Sequence, residues 1–354
     1  MSEADSRLDP FDYRLPKEAI ARFPPEQRDG GRLLMATEKG WVDGRISDLV
    51  QSFSSGDVLV VNDTRVLSAR LYGCRQTGGR VEVLLLGTGD GSVPAMVRPS
   101  RKLSVGESIA LFGRDGQPTD YTVTMGEVGT GGSRSVELSH PASEVMSACG
   151  RVPLPPYMER PATEADEERY QTVFAAVPGA VAAPTASLHL TPAILKALKS
   201  KGVGVHTITL HVGAGTFRNL RSEDLDRGAL HSEWYEIPGD TAAAIQRARA
   251  RGAKVTAVGT TVTRTLEASA QETGEVVAGS GRTCLFIKPG FSFQVVDRLM
   301  TNFHLPRSSL LMLVCAFGGR DTVLTGYSDA VNLGYRFYSY GDAMLIERGE
   351  YSKS

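Results

Sequence analysis

Four residues between positions 189 and 233 could do proton chemistry together: His189, His211, His231 and Glu233. Histidine titrates near neutral pH and a neighbouring carboxylate can orient it, so such a set suits general acid/base work. Its spacing matches no zinc pattern, and the four cysteines are too scattered to complete one, so no metal is expected. His189 ends the segment GAVAAPTASLHLT (179–191), which also carries Thr185 and Ser187 just before a helix start. Unpaired N–H groups and a positive dipole end there can receive a ribose hydroxyl or a carboxylate, although a capped turn with a satisfied histidine reads equally well. His211 opens His211-Val212-Gly213-Ala214-Gly215-Thr216-Phe217, whose glycines would let backbone approach a ligand. No third glycine opens a helix, so this is not a dinucleotide fingerprint. Thr260 to Arg264, after a strand, adds hydroxyls and an arginine at a second helix start, suited to an anion or a sugar or simply to capping.

The elements that must hold these groups alternate. DVLVV (57–61) reads as a buried strand running into the polar turn Asn62-Asp63-Thr64-Arg65. Short alternating or apolar runs follow, VEVLLL, VPAMV, ESIALF, YTVTM and RSVEL, separated by Gly-rich punctuation at the spacing of a barrel or sandwich. After the rigid connector Val152 to Tyr157, Thr191-Pro192 caps a helix that ends at Gly202, and 203–212 reads as a strand. A helix opens at Asp240-Thr241, KVTAVGT is a strand, and a further helix runs from Thr263. The expected fold is therefore a mixed α/β main domain, residues 1–62 and 151–354, with a small all-β barrel-like domain, 63–150, inserted into it. Three tyrosines around Arg336 near the chain end can stack bases, but more commonly such a cluster packs a core.

A chain of 354 residues is long enough for two domains, and its composition excludes disordered and fibrous classes. Cys74, Cys149, Cys284 and Cys315 read as buried thiols in a reducing compartment. The polar, partly acidic start and the absence of any membrane-length apolar run give the expectation of a cytoplasmic protein with no membrane partner. Thirty-nine basic against forty acidic residues give no global attraction for nucleic acid, so an RNA partner would need a local patch. One candidate exists from Arg65 to Arg114, where eight basic residues face three acidic ones. Scattered solvated arginines explain that count nearly as well.

Taken in order, FDYRLP, NDTRV, RVPLPPY, RYQTVFA, GAVAAPTASLHLT, TLHVGAGTF, HSE, AVGTT, RTLE, TNFHLP and YSYGDAML closely resemble the S-adenosylmethionine:tRNA ribosyltransferase-isomerases of queuosine biosynthesis, over almost the whole chain. Departures are mild: Ser187 and Leu190 stand where the family has Gly and Phe, and Gly31 where it has Ser. The resemblance implies an enzyme that moves the ribosyl part of S-adenosylmethionine onto 7-aminomethyl-7-deazaguanine at the wobble position of tRNA and isomerises it, giving epoxyqueuosine and releasing adenine and methionine. S-adenosylmethionine would be a consumed substrate, with no permanently bound cofactor, and the protein is expected to be a monomer. Acid/base roles are assigned among His189, His211, Glu233 and Asp63. Donor contacts are assigned to Thr185, Gly213, Gly215, Thr216, His231, Thr260 and Arg264, and RNA phosphate contacts to Arg65, Arg98, Arg101 and Lys102. A paralogue using the same donor on another acceptor, and an inactive tRNA-binding protein, are the competing readings.

Overall fold

The computed structural model describes residues 6–89, 91–213, 215, 220 and 222–349. A hairpin, β1 (Arg32–Thr37) and β2 (Gly40–Arg45), precedes β3 (Val58–Asn62), and β4 (Thr64–Val66) follows at once. The next six strands are β5 (Arg70–Cys74), β6 (Arg80–Leu85), β7 (Ser92–Arg98), β8 (Ser108–Phe112), β9 (Pro118–Val128) and β10 (Ser133–Leu138). They close into a barrel in the order β10-β7-β6-β5-β8-β9. Strict alternation explains it: along β7, Val93, Ala95 and Val97 are buried and the residues between them exposed. Helix α1 (Ala142–Cys149) adds Val145, Met146 and Cys149 to the barrel core.

The chain continues through α2 (Glu164–Arg169), β11 (Val177–Ala180), α3 (Pro192–Ser200), β12 (Gly204–Leu210), α4 (Ser222–Arg227), β13 (Ala229–Ile237) and α5 (Gly239–Ala250). Then come β14 (Val255–Val258), α6 (Thr260–Ala270), β15 (Gly279–Leu285), β16 (Arg298–Asn302), α7 (Ser309–Gly318), α8 (Arg320–Asn332) and β17 (Ala343–Glu347). Among the described residues, nine of the strands form one mixed sheet, β15-β13-β12-β3-β14-β16-β17-β1-β2. Its middle four, β12, β3, β14 and β16, are mutually parallel. That is why β3 could be read as a continuous apolar run: all five of its residues are buried, as a strand covered on both faces must be. Helix α6 begins three residues earlier than the sequence suggested, at Thr260, because the strand before it already stops at Val258. This matters because it turns the end of α6, rather than a loop, toward the strand ends.

Chain order reverses at β3. The connection from β3 leads to β12 on one side, and the next crossover leads to β14 on the other. In open α/β sheets the crevice outside the carboxyl ends of strands at such a reversal is where ligands bind. The opposite, amino-terminal edge is clasped by a buried ion pair. Arg298 at the start of β16 meets Asp57, just before β3, at 2.9 Å, and both side chains are almost wholly buried. Asp57 also accepts from the backbone of Ser54 and Lys254. Burial works against its ionised form, but these hydrogen bonds and Arg298 outweigh that and hold its pKa below the usual range.

No helix of the described residues is long and apolar enough to cross a membrane. Cys149 and Cys315 are buried as expected, whereas Cys284, whose side chain lies on the outer face of edge strand β15, is exposed and Cys74 half-buried. Replacing Asp57 by Ala is expected to lower the unfolding free energy by about 3 kcal/mol, because the almost wholly buried Arg298 loses its buried carboxylate and keeps only the half-exposed Glu347, 3.2 Å away. Urea denaturation measures this directly, and a loss under about 1 kcal/mol would contradict the clasp.

Candidate active site

Each of the four parallel strands hands over, at its carboxyl end, to one of the polar segments: 62–65 after β3, 211–215 after β12, 259–261 after β14 and 301–305 after β16. Asn62 joins the first two. Its side-chain N–H donates to the Leu210 carbonyl (2.9 Å), while its oxygen accepts from the backbone N–H of Leu210 (3.1 Å) and of Thr64 (3.1 Å). With every polar atom of this fully buried amide engaged, the ends of β3 and β12 are locked in register.

That lock brings Thr64 Oγ1 to 2.8 Å from His211 Nδ1. The imidazole stacks on Trp234, with ring centroids 5.0 Å apart. Burial lowers the pKa of His211, and Asp63 offsets this only in part, so at neutral pH the ring is uncharged and able to accept a proton. Asp63 does not touch the ring; it accepts from Thr209 Oγ1 at 2.6 Å. Gly179 lies against the other edge of His211, where a Cβ would stand 2.5 Å from Nε2, so only glycine leaves the ring its place.

Glu233 was expected beside a histidine. Instead Arg264, one turn into α6, donates to its Oε2 at 2.5 Å, and the Gly213 N–H donates to its Oε1 at 3.1 Å. Both partners of the ion pair are buried. Glu233 therefore fixes the 211–213 segment to α6, and its oxygens are committed. His231 is exposed and its ring covers Gly215, where a Cβ would meet it at 2.4 Å. Thr216 lies outside the described residues.

Next to this cluster opens a cleft lined by Ala182 to Ala186, Val212, Gly259 to Thr261, Thr301 to Leu305, Ser308 to Leu310, and Tyr157, Tyr170, Tyr338 and Ser339. Thr185 and Thr260 are among these lining residues. Thr185 Oγ1 donates to Asn302 Oδ1 at 2.8 Å, and Asn302 Nδ2 is 3.4 Å from His189 Nε2. His189 itself stands behind Asn302 and faces a separate small hollow with Arg28 and Arg169. Burial, reinforced by Arg336 and Arg28, pushes its pKa down to about 4. His304, which meets Thr301 Oγ1 at 2.8 Å, is lowered by burial to about 3.

Asn302, Thr301, Thr64 and Tyr338 were missed as site residues. The first three carry a signal, since each is a polar residue at the carboxyl end of an apolar strand or just beyond it; Tyr338 carries none, because it belongs to an aromatic run that does pack the core through Tyr335 and Phe337. The basic segment is thinner than its count suggested. Arg70 pairs with Glu82, Arg75 with Glu107 and Arg114 with Glu167, which leaves Arg65, Arg80, Arg98, Arg101 and Lys102 exposed and without an ion pair among the described residues. Arg65 follows Thr64 directly, while Arg98, Arg101 and Lys102 sit on the barrel, away from the cleft residues in sequence and in sheet.

Both buried histidines have folded-state pKa values below the ordinary 6.5. As pH falls below about 6.5 the unfolded chain takes up protons that the folded one refuses, so stability is lost downward from there at up to about 1.4 kcal/mol per pH unit for each histidine. Unfolding free energy measured between pH 7.5 and 5 is expected to fall accordingly. A flat profile would mean that neither ring is buried neutral.

The sequence profile of the queuosine biosynthesis protein family matches residues 8–346. An S-adenosylmethionine:tRNA ribosyltransferase-isomerase of Azoarcus sp. (strain BH72) is 48% identical over 353 residues, covering 98% of this chain and 99% of that one. The enzyme of the same description from Anaeromyxobacter sp. (strain Fw109-5) is 47% identical over 355 residues, covering 97% and 100%. Among solved structures, the S-adenosylmethionine tRNA ribosyltransferase of Thermotoga maritima is 34% identical, covers 95% of this chain and 99% of its own, and superposes with a TM-score of 0.55. On these full-length matches, the chain belongs to the queuosine biosynthesis family of S-adenosylmethionine:tRNA ribosyltransferase-isomerases.

Proposed function

We propose that this protein binds S-adenosylmethionine in the cleft and transfers its ribosyl part to the aminomethyl group of a 7-aminomethyl-7-deazaguanine base at the tRNA wobble position, isomerising it to epoxyqueuosine with loss of adenine and methionine. The observation that carries this reading is an uncharged, partly buried imidazole, His211, held by Thr64 and followed directly by Val212, which lines a cleft outside the carboxyl ends of parallel strands. The reaction needs a base for the proton on the ribose carbon beside the sulfonium, whose positive charge stabilises the resulting ylide. It also needs a proton for the departing adenine and an acceptor amine in its neutral form. His211 suits the first task, since its proton affinity is set low enough to be free at neutral pH and its orientation is fixed from both edges.

His189 and Glu233 take supporting parts in this account. His189 acts through Asn302 on Thr185, and Glu233 with Arg264 keeps the 211–213 segment against α6. Asp63, tied to Thr209, steadies the turn that presents Thr64 and Arg65. Arg65 next to the cluster, and Arg98, Arg101 and Lys102 on the barrel, would contact RNA phosphates on either side of the acceptor base.

Two outcomes test the reading. His211→Ala is expected to cut adenine release and ribosyl transfer to precursor tRNA by about 100-fold or more, in the range of general acid/base contributions. Gly179→Ala should approach that loss, because its methyl group displaces the ring, at some cost to the unfolding temperature from the crowding at this position. Full turnover in both variants removes His211 from the chemistry. For RNA, replacing Arg98, Arg101 and Lys102 by Gln should raise the KM for tRNA and flatten its salt dependence, with donor binding spared. An unchanged salt slope would make these residues ordinary surface.

A further inference from the structure

We propose that the cleft contains a carboxylate subsite formed by the amino-terminal ends of α6 and α7 together with the hydroxyls of Tyr338 and Thr261, and that it holds the amino-acid carboxylate of S-adenosylmethionine. This inference rests on the reading that S-adenosylmethionine is the donor. That donor has one anionic group, its carboxylate, and burying an anion without compensation is costly. Yet none of the residues lining the cleft is an arginine, lysine, aspartate or glutamate, and burial keeps its one histidine, His304, neutral. Compensation must come from dipoles.

Two such sources line the cleft. Helix α6 runs for eleven residues and starts after Gly259, which offers no side-chain cap, so the N–H groups of its first turn have no partner from within the helix. Helix α7 runs for ten residues; its cap Ser308 accepts from Leu311 N–H, which leaves the N–H groups of Ser309 and Leu310 open. Gly259 to Thr261 and Ser308 to Leu310 both line the cleft. A helix start favours an anion through its dipole as well as its N–H groups.

The second, independent observation concerns hydroxyls. Tyr338 is only 5% exposed and lines the cleft, but its hydroxyl makes no hydrogen bond. Thr261 also lines the cleft, and its Oγ1 is likewise buried and unpartnered. Tyr338 also holds a left-handed backbone (φ 71°), pinned by its N–H to the Phe303 carbonyl and by its carbonyl to the Gly341 N–H. Buried hydroxyls are rarely left unpaired, and two of them beside two open helix ends match the acceptor oxygens of one carboxylate.

Steady-state assays of wild type, Tyr338→Phe and Thr261→Val with S-adenosylmethionine and with its decarboxylated analogue test the proposal. The wild type is expected to have at least about a tenfold higher KM for the decarboxylated donor. Each variant should raise the KM for S-adenosylmethionine far more than it lowers kcat, leave the KM for the decarboxylated donor near the wild-type value, and not change the KM for tRNA. Without ligand, Tyr338→Phe should unfold at or above the wild-type temperature, because it removes an unpaired buried hydroxyl. Equal KM values for the two donors in the wild type, or variants that weaken both donors alike, overturn the subsite while leaving the donor assignment standing; a variant effect on the KM for tRNA alone would reassign the subsite to an RNA phosphate. Failure of the wild type to release adenine from either donor overturns the donor assignment, and the subsite with it.

Discussion

The arrangement of this site depends on one buried amide. Asn62 ends the central strand β3 and engages both its side-chain oxygen and its nitrogen with Leu210 and Thr64. A buried amide missing one of these partners would lose about 1–3 kcal/mol, so the register of β3 with β12 is strongly specified at the point where both strands stop. Everything downstream follows from that register. Thr64 meets His211, Val212 reaches the cleft wall, and Gly213 comes within reach of Glu233, which Arg264 ties to α6. At the opposite ends of the strands, Asp57 and Arg298 tie β3 to β16, so β3 is fixed at both of its ends.

The electrostatic character of the cleft is equally constrained. Charged side chains ring it rather than line it: Arg264 and Glu233 neutralise each other beside it, and Arg28 and Arg169 lie on the far side of His189. In the proposed reaction the positive charge of the donor's sulfonium stabilises an ylide. A wall without carboxylates leaves that charge unquenched, and a wall without free ammonium or guanidinium groups does not repel it. Uncharged imidazoles at His211 and His304 fit this setting, because burial works against their protonated forms.

Much of this was legible in the sequence because strands and helix starts leave local marks. The run 57–61 into Asn62-Asp63-Thr64-Arg65, the alternation in VPAMV and the Thr191-Pro192 cap each follow from a period or a capping rule, and the structure places them accordingly. What was not legible is pairing over distance. Nothing in His231-Ser232-Glu233 indicates that Glu233 reaches Arg264 rather than a histidine, since β13 must first be laid beside β12 to turn the carboxylate toward α6. A count of charges could not show that Arg75 is spent on Glu107 or Arg114 on Glu167. Tyr338 was hidden for a different reason: Tyr335, Phe337 and Tyr338 look alike in composition, and only the left-handed turn at Tyr338 separates the residue that faces the cleft from those that fill the core.

In the proposed arrangement the donor lies at the carboxyl ends of the four parallel strands, between the single 3-10 turn Thr185–His189 and the starts of α6 and α7. Amide hydrogen–deuterium exchange with and without S-adenosylmethionine, in the absence of tRNA, tests it most directly. Protection is expected in peptides covering 182–186, 259–262, 301–305 and 308–311, with the barrel unchanged. Protection confined to the barrel, or to the exposed edge of β13 around His231, would contradict it.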